Sequence, residues 1–359
     1  MKKTLVYLVA SVAVLMLTMP AFAEIEWSGN ILAGIEKMDY GTDTTPSDKE
    51  SDELQFSNIK LNLDVRADVC DGVVGVAQLR SVCTDCNVFK RCIYVEICDL
   101  LIPDGCIQIG RIELPLGAVA NASKGANTMK NPLIFNSLLV DEMLLQAVDD
   151  GLLIKKTLGA VDCKLGITNG CDGDESCSAP GLQPKCKDTN GDKAITLNLS
   201  GDCPGVPGLT LAGTYYTNDM ADVSGETDEV DKWIIDVAFA SGLWKLAAAM
   251  GNEEIKTGDA SSSEKTEIDY MMLELVYGNG TTPWWVAARY STKEPDTSYS
   301  PTSSPDPKDD VERLELGAGY KLCDNAYLKI EYIDNDLDDE ATELLQDYDG
   351  IKAIVNVNL

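Results

Sequence analysis

Residues 58–68 read NIKLNLDVRAD, and their alternation decides the fold class. Ile59, Leu61, Leu63, Val65 and Ala67 fall on one face of an extended chain. Asn58, Lys60, Asn62, Asp64, Arg66 and Asp68 fall on the other, because successive side chains of a strand point to opposite sides. The same period of two returns in Ile93–Ile97 (IYVEI), Trp233–Phe239 (WIIDVAF), Met271–Tyr277 (MMLELVY), Arg313–Tyr320 (RLELGAGY), Ala326–Tyr332 (AYLKIEY) and Ile351–Leu359 (IKAIVNVNL). One such strand would suit a β-sandwich equally well. Charged residues recurring in the middle of the polar face separate the two readings. A sandwich core excludes them, whereas a water-filled barrel interior accepts them.

The connections alternate as well. Short ones fall at Asp71-Gly72, Pro103–Gly105, Gly159-Ala160, Gly205–Gly208, Gly242, Gly278–Thr282 and Asp324-Asn325. Long polar ones cover 41–52, 82–91, 117–143, 170–192, 218–230, 257–265, 295–310 and 335–349. Short turns on one rim and long loops on the other describe a transmembrane, antiparallel, up-and-down β-barrel. Seven turns and eight loops make fifteen connections and therefore about 16 strands. Residues 1–23 carry Lys2 and Lys3, an apolar run and Ala21-Phe22-Ala23, the pattern of a cleaved signal peptide. The remaining 359 − 23 = 336 residues form one barrel domain, 24–359, with 336/16 = 21 residues per strand and connection.

Composition narrows the function. Lysine plus arginine is 29 and aspartate plus glutamate is 59, a formal charge of −30, so a nucleic-acid partner is not expected. The chain has no histidine, which excludes a Ser-His-Asp triad and histidine-ligated zinc. No cofactor is implied and no enzyme activity is expected. Export to an oxidising compartment permits disulfides among the twelve cysteines. Trp27, Trp233, Trp244, Trp284, Tyr277, Tyr290, Tyr320 and Tyr332 sit near strand ends, as an interfacial aromatic girdle requires.

Cys106–Gly117 (CIQIGRIELPLG) and 149–170 (DDGLLIKKTLGAVDCKLGITNG) resemble the passages that flank the third loop of sixteen-stranded bacterial outer-membrane porins, including the phosphate-selective O and P type. The chain departs from that family by ending in Leu359 rather than phenylalanine and by its cysteines. The resemblance implies that loop 117–143 folds into the barrel and narrows it, with Asp141 and Glu142 adding negative charge. It also implies a homotrimer in the outer membrane, surrounded by lipid, passing ions and small polar solutes.

Lys60, Arg66 and Arg80 take inward parity, among the acids Asp64, Asp68, Glu96 and Glu113. Arg111 joins them only through a β-bulge at Gly110, since strict alternation sends it to lipid at a cost of roughly 2–4 kcal/mol near the midplane. The acidic outer loops predict a modest cation preference. A substrate-specific phosphate or sugar channel, and a structural or adhesive surface barrel with disulfide-stapled loops, are the alternatives.

Cys83, Cys86 and Cys92 group at one long loop, and Cys171, Cys177 and Cys186 at another; disulfides are favoured there over a metal site. Register arithmetic, 163 + 203 = 366, predicts a Cys163–Cys203 bridge across the hairpin centred on residue 183. The stretch Asp188–Asp192 (DTNGD) lacks the later ligands of a calcium loop and reads as a polar turn.

Overall fold

The computed structural model describes residues 24–40, 55–82, 87–116, 148–170, 193–221, 227–257, 264–278, 282–298, 310–337 and 348–359. These form sixteen strands: β1 (Glu24–Tyr40), β2 (Gln55–Cys70), β3 (Val73–Val82), β4 (Asn87–Cys98), β5 (Gly105–Glu113), β6 (Val148–Leu158), β7 (Val161–Thr168), β8 (Ala194–Asp202), β9 (Leu209–Ala221), β10 (Thr227–Ser241), β11 (Trp244–Thr257), β12 (Glu264–Tyr277), β13 (Trp284–Ser298), β14 (Val311–Cys323), β15 (Ala326–Leu337) and β16 (Tyr348–Asn358). Each strand pairs antiparallel with the next, and β1 pairs with β16 to close the barrel. The closing ladder runs from Asn30 opposite Asn358 to Tyr40 opposite Tyr348, and the Leu359 amide donates to the Gly29 carbonyl at 2.8 Å. Closure leaves no edge, so every strand finds backbone partners without water.

All seven predicted short connections fall between consecutive strands that pair as neighbours. Gly72 and Gly242 hold positive φ (74° and 58°) in two of the tightest, a conformation that costs glycine little. In the β14–β15 turn, Lys321 donates to the Asp324 carboxylate at 2.9 Å, and this bond holds the Asp324 carboxyl below its ordinary range.

The outer face is apolar and exposed. On β11, Trp244, Leu246 and Met250 point outward, and polar residues begin at Asn252. On β12, the outward row Tyr277, Leu275, Leu273 and Met271 gives way to Asp269 and Glu267. On β16, Val357, Val355 and Ile351 give way to Asp349. Eight residues from Trp244 to Asn252 span roughly 27 Å along the strand, or about 20 Å of bilayer depth at a 40° tilt. Rings close the band below: Trp244 meets Tyr277 at 4.5 Å between centroids, and Tyr277 meets Trp284 at 5.7 Å. Exposed leucines outside and buried charges inside reverse the pattern of a soluble protein, and this places the band in hydrocarbon.

The inner face is not uniformly polar. On β10–β12 it carries Ile234, Ala247, Ala249, Ile268 and Met272, all buried. Leu114 and Leu116, which follow β5, join these residues in one packed cluster. The chain therefore turns inward as it leaves β5 and crosses toward the far wall. Thr214 on β9 marks the path, donating to the Pro115 carbonyl at 3.4 Å.

Candidate functional site: the inner wall

The inner wall of β10–β15 is a ladder of buried ion pairs. Strand register sets Arg289 on β13 directly between Glu274 on β12 and Glu315 on β14. Arg289 Nη2 lies 2.7 Å from Glu274 Oε2 and Nη1 lies 3.2 Å from Glu315 Oε2, with all three side chains 0% exposed. Two rungs along, Arg313 Nε donates to Asn335 Oδ1 at 2.8 Å. On β10–β12, Lys232 Nζ lies 3.4 Å from Glu253, while the Tyr270 hydroxyl donates to the same carboxylate at 2.6 Å. Lys232 also stands 4.7 Å over the Tyr270 ring, a cation–π arrangement. Burying one of these charges alone would cost several kcal/mol, which is why Arg289 sits between Glu274 and Glu315 and Lys232 opposite Glu253. Below this network the Trp285 ring lies on Gly319, where any Cβ would collide with it.

The β5–β9 wall is buried and polar but largely uncharged. Asn198 Nδ2 donates to Thr214 Oγ1 at 2.8 Å, and Thr168 and Thr196 lie beside them, buried. Asp149 accepts the Gly170 amide at 2.8 Å and the Asp150 amide at 2.7 Å, which anchors both ends of the DDG…TNG passage.

The β1–β4 wall is different in kind, because its described inward side chains, Cys92 apart, remain at least partly exposed. Asn62 Nδ2 donates to Asn30 Oδ1 at 2.7 Å. Arg66 lies 3.6 Å from Asp68. Glu96 accepts from Gln108 Nε2 at 2.7 Å and from Lys155 Nζ at 3.1 Å. At the seam, Lys352 on β16 pairs with Glu36 on β1 at 2.6 Å.

Among the residues expected to line a pore, Asp64, Arg66 and Glu96 are thus brought to one stretch of inner wall. Lys60 and Arg80 hold inward positions by register, opposite Leu32 and Asn62 respectively; their side chains lie outside the description. Asp141 and Glu142 lie outside the described residues, as do Cys83, Cys86, Cys171, Cys177, Cys186 and the 188–192 stretch.

Two expectations need correction. Arg111 does not reach the interior through a bulge. The β4–β5 and β5–β6 ladders run through Gly110 without a shift, and Arg111 faces outward between Ile93 and Asp150. Glu113, two residues on and opposite Val148, shares that outward parity. The predicted lipid penalty is relieved instead by Asp150, whose Oδ1 lies 3.8 Å from Arg111 Nη1, with the arginine side chain 14% exposed.

The Cys163–Cys203 bridge is also absent. Cys163 opposes Leu199, so the register sum is 163 + 199 = 362 rather than 366, which slides the two thiols apart by four residues, roughly 13 Å. Cys92 is buried on β4 opposite Gln78.

The disulfide that does form, Cys98–Cys106, went unpredicted. Its signal is present in the same arithmetic: 98 + 106 = 204 centres the pair on residue 102, next to the predicted Pro103–Gly105 turn, and the two cysteines are direct cross-strand partners. The other cysteines of the turn-bearing rim, Cys70, Cys203 and Cys323, are not bridged.

A closed sixteen-stranded antiparallel barrel with a charged interior and an apolar belt is a membrane-barrel architecture, and solved structures share it. The trimer form of OmpT, an outer-membrane protein of Vibrio cholerae, superposes with a TM-score of 0.64 at 10% identity, over 94% of this chain and 99% of that one. An anion-selective porin from Comamonas acidovorans gives 0.63 at 12% identity, over 94% and 100%. The outer-membrane channel DcaP of Acinetobacter baumannii gives 0.63 at 14% identity, over 94% and 97%. The fold is therefore that of bacterial outer-membrane porins. No protein-family profile matches the sequence, and no curated protein matches it.

Proposed function

We propose that the chain is an outer-membrane porin, a passive, water-filled channel for ions and small polar solutes with a modest preference for cations. The observation that carries this reading is the inverted barrel, in which an exposed apolar belt surrounds an inner wall of charged and amide side chains. The charged and amide part of that wall offers a polar path. Its bases alternate with carboxylates, as at Glu274–Arg289–Glu315, which favours a general channel over a phosphate-specific one. The inward turn at Leu114–Leu116 supports insertion of loop 117–143 into the barrel, where it would act as the constriction. No residue is assigned a catalytic role. Residues 1–23 are read as a signal peptide removed on export.

A homotrimer fits the outer face. From Leu61 to Leu199, on β2–β8, no described outward side chain is aromatic, whereas β9–β15 carry Tyr215, Trp233, Trp244, Tyr277, Trp284 and Tyr320. The outward Arg111–Asp150 pair lies on the same arc, where contact with protein is cheaper than contact with lipid. The solved OmpT trimer has the same barrel. The zero-current potential of the reconstituted protein in a potassium chloride gradient tests the proposal. A small potential of the sign for cation passage is expected. A clear anion sign would reassign control to Lys60, Arg66 and Arg80.

A further inference from the structure

Accessibility divides the inner wall into two parts. From Gln108 on β5 round to Asn335 on β15, the inward side chains at mid-barrel are buried, including Glu274, Arg289, Lys293 and Glu315. Part of the reason is visible: Leu114 and Leu116 pack against the β10–β12 wall. On β1–β4 most of the inward row keeps some exposure, with Arg66 and Asp68 50% and Glu96 15% exposed in their side chains, while Cys92 is buried.

We propose that ions cross the barrel through a crescent along β16 and β1–β4, and that Glu26, Asp64 and Glu96 set the cation preference there. This deepens the channel reading and rests on it. An ion in transit responds to charge that shares its water. The Arg289 guanidinium lies outside water and between two carboxylates, so its field in the open crescent is largely cancelled. The crescent keeps its charge in reach. On β1–β4 the described inward set is Glu24, Glu26, Asp64, Asp68 and Glu96 against Arg66 alone. Adding Lys60 and Arg80 by register, and Lys155 of β6, which lies 3.1 Å from Glu96, leaves five acids against four bases, and the Glu36–Lys352 pair at the seam adds no net charge. A low-dielectric wall carrying that excess raises the local concentration of cations.

The inference separates residues that the barrel sequence alone treats alike. Ser28 on β1 and Ser291 on β13 both face inward, Ser28 exposed opposite Asp64 and Ser291 fully buried. In planar bilayers, Ser28→Cys treated with a sulfonate-bearing methanethiosulfonate should lose about half of its conductance or more. Ser291→Cys should match the untreated parent, whose own thiols give the baseline. Independently, Asp64→Asn/Glu96→Gln should lower the cation-to-anion permeability ratio about twofold, whereas Glu274→Gln/Glu315→Gln should leave it unchanged. Block at Ser291→Cys with none at Ser28→Cys, or a ratio that follows Glu274 and Glu315, would overturn the crescent. An unmodified protein that never conducts would overturn the channel reading itself, and the inference with it.

Discussion

Leu273→Arg is the substitution that most sharply tests which face of the barrel meets lipid. Leu273 is 49% exposed on β12. It stands four residues above the girdle residue Tyr277 and four below Asp269, where the outward row turns polar. Four residues rise roughly 13 Å along a strand and about 10 Å in depth at a 40° tilt, so Leu273 lies near the middle of the band. A cationic side chain on the lipid face at that depth costs about 2–4 kcal/mol. At the centre of that range, about 3 kcal/mol, the folding equilibrium constant falls roughly a hundredfold. Asp269→Arg, on the same strand and face, is the control and should cost about 0–1 kcal/mol, because it lies at the polar boundary. Reversible guanidinium unfolding in phospholipid vesicles measures both. Equal costs at the two positions would refute the placement of the apolar belt in hydrocarbon, whatever the absolute values.

Other expectations follow from the inner wall and the turns. Arg289→Met strands two buried carboxylates and should destabilise by about 3–5 kcal/mol in the same assay, with most of the loss restored when Glu274→Gln and Glu315→Gln are added. Cys98→Ser opens an eight-residue separation and should cost about 2–3 kcal/mol on the loop-entropy estimate; non-reducing peptide mapping should recover the Cys98–Cys106 link and alkylated Cys163 and Cys203. Gly319→Ala forces a methyl into the Trp285 ring and should cost about 1–3 kcal/mol, read with a shift in tryptophan emission.

The architecture was legible because a barrel strand writes its geometry into two local patterns. The face of Leu273 follows from its neighbours at one-residue steps, and the turn at Asp324-Asn325 from its residue types. What was not legible depends on how strands slide past one another. Arg111 looked too costly for the outer face until register set Asp150 beside it, a partner 39 residues away in sequence that periodicity cannot supply. Cys163 and Cys203 had compatible parity but the wrong offset, since loop length sets the hairpin centre only to within a few residues. Ile234 and Glu274 share the inner face, yet one receives Leu114 and Leu116 in a packed cluster and the other binds Arg289. Leu114 and Leu116 dock on that face after the chain leaves β5, a contact that alternation along single strands does not encode.

Single-channel recording of the refolded chain in planar bilayers tests the central claim most directly. A water-filled barrel predicts discrete, ohmic current steps that grow with salt concentration; bilayers that stay silent while the protein is folded and inserted would contradict it.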